Sequence, residues 1–146
     1  MDGLVILGVT LAVGTVLGVV LRRTGGVLRR ARGRSGEGDA VRVTGEDIGE
    51  PLGERATLVQ FSTAFCQPCR ATRRVLADVA AIVPGVVHVE IDAESRLDLV
   101  RRFGVLSTPT VLVLDAAGRV TRRAAGQPRK ADVIAALGEA IGDSAA

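Results

Sequence analysis

The chain of 146 residues contains two cysteines, in the run Cys66-Gln67-Pro68-Cys69. An apolar stretch precedes the pair and a helical pattern follows it. A thiol at the first turn of a helix faces unpaired backbone N–H groups and the positive end of the helix dipole, and both favour its thiolate. The thiolate is the reactive form. A second thiol three residues on lies one turn away and can close a disulfide. The segment reads as a redox dithiol, with Cys66 as the nucleophile and Cys69 as the thiol that releases the substrate. Two bland readings stand beside it: buried packing cysteines, or a metal site. Zinc takes about four ligands. The chain offers two thiols and one histidine, so no metal is expected unless two chains share a site.

The flanking pattern supplies elements to hold the pair. Thr57 to Ser62 is β-branched and apolar enough for a buried strand. Ser62 to Phe65 makes the turn, and the helix runs from Cys66 to Val83. Val75, Leu76, Val79, Ala80, Ile82 and Val83 form its apolar stripe, with Arg70, Arg73 and Arg74 on the other face. Pro68 falls in the first turn, where a missing N–H costs nothing, and Pro84-Gly85 ends the helix. Val86 to Ile91 reads as a strand with Val87, Val89 and Ile91 on one face. Glu94 to Phe103 reads as a short helix with Leu97, Val100 and Phe103 inward. Thr110 to Leu114 is a continuous apolar strand, and Asp115 to Gly118 turns the chain into a strand over Val120 to Ala124. Pro128 opens the last helix, with Val133, Ile134, Leu137 and Ile141 as its stripe. Val41 to Val43 is an edge-strand candidate. Thr44 caps a short helix that Pro51 stops. Strands alternating with helices, then a hairpin, predict an α/β fold: a mixed sheet with helices on both faces.

The run Phe61-Ser62-Thr63-Ala64-Phe65-Cys66-Gln67-Pro68-Cys69-Arg70 between strand and long helix resembles a thioredoxin active site. Gly104-Val105-Leu106-Ser107-Thr108-Pro109-Thr110, followed by Val111-Leu112-Val113-Leu114, resembles that family's cis-proline segment. Asp115-Ala116-Ala117-Gly118 is similar to the hairpin turn that follows, and Gly126 to the glycine after the last strand. The resemblance covers about Val41 to Ile141 and implies a thioredoxin-like fold. It also implies a thiol–disulfide oxidoreductase that uses no bound cofactor beyond a Cys66–Cys69 disulfide. Its expected partners are disulfide-containing proteins and a thioredoxin-reductase-like electron donor.

Further roles follow from that resemblance. Pro109 becomes the cis-proline packed against the cysteines, Thr108 the residue whose backbone pairs with extended substrate, and Gly126 a third substrate-binding position. Gln60 stands where thioredoxins carry a buried Asp, and His88 where a Lys is frequent. A neutral Gln60–His88 pair beneath the dithiol is expected, with His88 or water relaying the proton that Gln60 cannot take. The alternative is that His88 is a strand residue with no redox role. Phe65 and Ser62 stand at positions where Trp is common. Phe65 keeps an apolar shelf beside Cys66. Arg74 replaces a helix-kinking proline. Pro68 removes a backbone donor near Cys66, which weakens thiolate stabilisation and makes a better reductant. Gln67 replaces a glycine and also bears on the potential.

Composition bounds the rest. Aromatic residues are 2% of the chain against 47% hydrophobic, so the core must be aliphatic. Six of the 19 basic residues lie between Arg22 and Arg34, and the remaining 13 face 15 acidic residues beyond the N-terminal part. The high pI belongs to a tether, and nucleic-acid binding is not expected. Gly3 to Leu21 carry no charge, and at ~1.5 Å per residue they span about one hydrocarbon core. Asp2 precedes the run and arginines follow, the reverse of a signal peptide. The reading is an uncleaved anchor over 1–22, a basic flexible linker over 23–40 and a thioredoxin-like domain over 41–146.

The arginine excess places the domain on the cytoplasmic side of the cell membrane, single-pass, as a reductant. The competing readings are an extracytoplasmic factor for disulfide or cytochrome maturation, and a non-catalytic thioredoxin-like module that binds partners or holds a metal. Gly14-x-x-x-Gly18 allows helix pairing, although glycine is common in membrane helices.

Overall fold

The strand that leads to the cysteines is buried along its whole length, because it lies in the middle of a sheet with helices on both faces. The computed structural model describes residues 2–24, 27–30 and 41–145. Five helices are α1 (Asp2–Thr24), α2 (Gly45–Ile48), α3 (Gln67–Ile82), α4 (Leu97–Arg102) and α5 (Lys130–Ala145). The strands are β1 (Arg29–Arg30), β2 (Ala56–Ser62), β3 (Val86–Asp92), β4 (Thr110–Asp115) and β5 (Val120–Ala125). They are ordered β1-β5-β4-β2-β3. Among the described strands only β2 and β3 run parallel; the other neighbours are antiparallel. All seven residues of β2 and all six of β4 are buried, which explains why apolar residues occupy both faces of each strand.

Alternation along the central strands splits the core in two. Val59, Phe61, Val89, Ile91, Leu112 and Leu114 face α2 and α4, where Phe103 packs with its ring 6.3 Å from that of Phe61. Leu58, Val86, Val111 and Val113 face α3 and α5, meeting Leu76, Val79, Val133 and Leu137. Thr44 caps α2 in a capping box with Asp47, and Gly49 closes that helix at φ 74°. Arg102 on α4 binds the Asp47 carboxylate at 2.7 Å and the Arg42 carbonyl at 2.9 Å, pinning the segment before β2 to α4.

Several boundaries differ from the sequence reading, each for a local reason. Val41 to Val43 forms no strand; Arg42 makes a single bridge to Arg119, and Val43 N–H donates to Gly118 O at 2.8 Å. Gly118 (φ 78°) is required there, since a Cβ would sit 2.0 Å from Val43 O. Helix α4 starts at Leu97 because the Asp92 carboxylate takes the Glu94 N–H (2.9 Å) and the Ser95 hydroxyl (2.6 Å), holding residues 92–95 in a turn. Leu97 points outward, 52% exposed, while Leu99 takes the inward place. In α5, which begins at Lys130 rather than Pro128, Ile134 is exposed and Ala136 and Ala140 complete the buried stripe. Ile82 of α3 is likewise exposed.

Most of the expected linker over 23–40 lies outside the described residues. Its described part does not run free. Arg29 and Arg30 pair with Arg123 and Arg122 of β5, and Leu28 packs half-buried against the α3–α5 core. Helix α1 contains a stretch, Gly3–Leu21, with mean hydropathy 2.7 and no burial, long and apolar enough to cross a membrane or serve as a signal sequence.

Leu76 is fully buried between α3 and the sheet. Leu76→Ala is expected to lower unfolding free energy by about 2–5 kcal/mol, the range for an aliphatic cavity in a rigid core, read by urea denaturation.

Candidate active site

Helix α3 begins a short turn beyond the C-terminal end of the central strand β2, and Cys66 is its N-cap. The Cys69 N–H donates to Cys66 Sγ at 3.2 Å. The sulfur thus occupies the place that a Ser or Asp oxygen takes in an ordinary cap. Cys66 and Cys69 are joined in a disulfide with Cα atoms 5.2 Å apart. Cys66 is half-exposed and Cys69 is 1% exposed. The two sulfurs are therefore unequal, an outer one open to a partner and an inner one reached only through the first. Gln67 and Pro68 occupy the first helical turn on the surface. Having no N–H, Pro68 leaves fewer backbone donors around Cys66.

The Thr108–Pro109 peptide bond is cis. Pro109 is buried and Thr108 half-buried at the start of β4. Two contacts tie this segment to its neighbours. Thr108 and Thr63 hydroxyls lie 3.3 Å apart, across from the cysteine loop. Gly126 N–H donates to Pro109 O at 2.7 Å, with Gly126 at φ 96° just past β5. Cys66, Thr108, Pro109 and Gly126 thus gather at one end of the sheet. Arg123 on β5 steadies the approach by donating to the carbonyls of Phe103 and Gly104 at the end of α4. Phe65 is 98% exposed and Leu106 is 96% exposed. Phe65 is less a shelf packed on Cys66 than a free apolar surface beside it.

Beneath the pair, Gln60 is completely buried on β2. Its Nε2 donates to Cys69 O and to Ser62 Oγ, both at 2.9 Å. A carbonyl cannot donate, so this contact fixes which end of the amide faces Cys69. Gln60 Oε1 then faces His88 Nε2 at 3.1 Å, and that ring nitrogen must carry the hydrogen. The expected Gln60–His88 pair is present, with every hydrogen-bonding group of the amide engaged. Burial holds His88 below the usual imidazole pKa, Glu90 opposing that shift and Arg73 adding to it. The imidazole is therefore neutral at pH 7.

The sequence reading missed Glu90 and Arg73. Gln60, Ser62, His88, Glu90 and Asp92 alternate along two adjacent parallel strands, so they share the face under α3. Arg73 on α3 forms a two-pronged ion pair with Glu90. Hydrogen bonds, first from Arg73 and also from Ser62, hold the Glu90 carboxyl below its ordinary pKa against the effect of burial. A cleft of about 380 Å³ opens between this pair and the cysteines, bordered also by Arg70 and Asp92. The polar alternation of His88, Glu90 and Asp92 was the available signal. Among the described residues no group of three or more potential metal ligands is assembled.

With this geometry in place, comparison with known proteins is informative. The Thioredoxin family model matches residues 43–139. The thioredoxin of Alicyclobacillus acidocaldarius is 30% identical over 90 residues, covering 61% of this chain and 85% of that protein. The thioredoxin of Chlamydia muridarum is 28% identical over 92 residues, 63% of this chain and 89% of the relative. Against Thioredoxin H5 of Oryza sativa the match is 28% over 60 residues and spans only 44% of that relative. In structure, thioredoxin NaTrxh from Nicotiana alata superposes with TM-score 0.54 at 26% identity, over 60% of this chain and 75% of that one. A mutant thioredoxin from Halobacterium salinarum, at TM-score 0.55 and 18% identity over 60% and 76% of the two chains, shares the fold.

His88 binds protons less readily folded than unfolded, so the unfolded chain takes up more protons below about pH 6.5. Stability should be level above that pH and fall as acid carries it down through the lowered folded value. His88→Gln should remove this acid-side slope, measured as denaturation midpoint against pH.

Proposed function

We propose that this chain, which belongs to the thioredoxin family, is a membrane-anchored thiol–disulfide oxidoreductase whose Cys66/Cys69 dithiol reduces protein disulfides. The observation that carries the reading is the unequal cysteine pair at the start of α3, capped by a backbone amide, with the cis-Pro109 segment tied to the turn before it through Thr63 and Thr108. In the reduced protein, the Cys69 N–H and the helix dipole would act on the Cys66 thiolate. That thiolate attacks one sulfur of a substrate disulfide. The substrate S–S bond breaks, a mixed disulfide forms, and the departing substrate thiolate takes a proton. Cys69 then loses its proton and attacks Cys66 Sγ, releasing the second substrate thiol. Two electrons have passed to the substrate, and the Cys66–Cys69 disulfide remains. A reductase-type donor returns the electrons by the same exchange, and no bound cofactor is required.

The proton of Cys69 needs an acceptor, and Gln60 cannot serve. His88, neutral near pH 7 and linked through Gln60 to the Cys69 backbone, is the candidate acceptor, with water completing the path. Substrate is expected to lie against Thr108 as an added strand, with Phe65 and Leu106 giving apolar contact on either side. The uncharged helix followed by arginines supports an anchor with the domain on the cytoplasmic face. A reporter fused after Ala146 that is active only outside the cytoplasm would move the same chemistry into disulfide or cytochrome maturation.

Insulin reduction with dithiothreitol as donor tests the activity. Cys66→Ser should fall to the uncatalysed rate, and Cys69→Ser should accumulate the mixed disulfide. Undiminished turnover in Cys66→Ser would defeat the assignment. In His88→Ala, the pH profile of single-turnover oxidation should shift; an unchanged profile would leave water alone as the acceptor.

A further inference from the structure

The chain's link between apolar helix and domain is short, and it is docked. Arg29 pairs with Arg123 and Arg30 with Arg122 in antiparallel register, and Leu28 adds a half-buried contact with the α3–α5 core. Antiparallel register fixes a direction. Moving from Arg29 back towards α1 means moving along β5 towards Ala125 and Gly126. Gly126 is the residue hydrogen-bonded to Pro109. The chain therefore leaves the domain for α1 at the redox end of the sheet, not at the hairpin end around Gly118.

The reach is limited. Four residues, Gly25 to Leu28, separate the end of α1 from β1. Fully extended, the five Cα–Cα steps from Thr24 to Arg29 cover at most about 17 Å. Three more helical residues back to Leu21 add about 4.5 Å. The hairpin end lies a further strand length away, about 20 Å for the six residues of β5. The two most exposed large apolar side chains of the domain, Phe65 and Leu106, sit at the near end.

Resting on the anchored-oxidoreductase reading, we propose that β1 docking turns the Cys66 face towards the bilayer, so that its substrate is a disulfide carried by a membrane protein close to the lipid headgroups. In that exchange the Cys66/Cys69 dithiol gives two electrons and two protons. The partner's S–S bond opens to two thiols and the Cys66–Cys69 bond closes. A soluble substrate would have no need of a short, docked tether that holds the dithiol beside the membrane. A long free linker would let the site sample every height and gain nothing from the register.

The chain has no tryptophan, so single tryptophans report height directly. The full chain is placed in vesicles containing a dansyl-headgroup lipid, with Phe65→Trp or Leu106→Trp marking the redox end and Ala117→Trp the hairpin end. Energy transfer from either redox-end reporter should exceed that from Ala117→Trp by about threefold or more. Inserting about twenty Gly-Ser residues between Gly25 and Gly26 should equalise them. Equal or reversed transfer in the uninserted chain would overturn the orientation. The same vesicles then receive one disulfide peptide on a short or a long lipid-anchored spacer. The short form should be reduced about tenfold faster, and the insertion should abolish the preference. Equal rates would overturn the partner assignment while leaving insulin reduction, and the function it tests, intact. Failure of the chain to float with the vesicles would overturn the anchor and this proposal together.

Discussion

Helix α3 begins on a sulfur atom, and the rest of the site is arranged around that fact. The Cys69 N–H that caps onto Cys66 Sγ is one of the donors that a helix start leaves without an intrahelical partner. An oxygen there would only complete a cap. A sulfur completes the cap and also receives the electrostatic bias of the helix end, which turns a structural position into a reactive one. The arrangement requires the helix start to be held still. The seven buried residues of β2 provide this on one side, and the Thr108–Pro109 segment, fixed by Thr63 and Gly126, provides it on the other.

The floor of the site solves a separate problem. Sealing a carboxylate under α3 would carry a desolvation cost and a raised pKa. Gln60 avoids this by being neutral, yet it still satisfies the Cys69 carbonyl and Ser62, and it is satisfied in turn by His88. Charge is moved outward instead, to the Arg73–Glu90 pair at the cleft edge, where solvent helps to carry it. The inner cysteine thus lies above an uncharged amide, with the ionised groups kept to the edge of the cleft.

The cysteine spacing and the strand before it were legible in the sequence because each is a local pattern backed by short-range geometry, whereas the proline segment was legible through family resemblance. The Gln60–His88 contact was legible through family resemblance, since the two residues are 28 positions apart and periodicity alone says only that they share a face. The Arg73–Glu90 pair escaped for that reason: alternation gives faces, not partners across a helix and a strand. Helix α4 was overextended because Asp92 diverts the backbone amide and hydroxyl that would begin it. The pairing of β1 with β5 was not legible either, because two residues carry no alternation to read. On β5 itself, Arg122 is held by Glu139 and Arg123 by the carbonyls of Phe103 and Gly104.

Strand β5 is where these features meet. One edge of it pairs with β4; the other accepts β1. Its Arg123 holds the end of α4, from which the chain runs to Thr108, and the residue after it, Gly126, holds the Pro109 carbonyl. The strand that β1 joins is therefore the strand whose following residue, Gly126, fixes the Pro109 carbonyl. The docking of β1 and the contacts that shape the reactive end of the sheet thus depend on one six-residue strand, because each of them needs β5 held in register with β4.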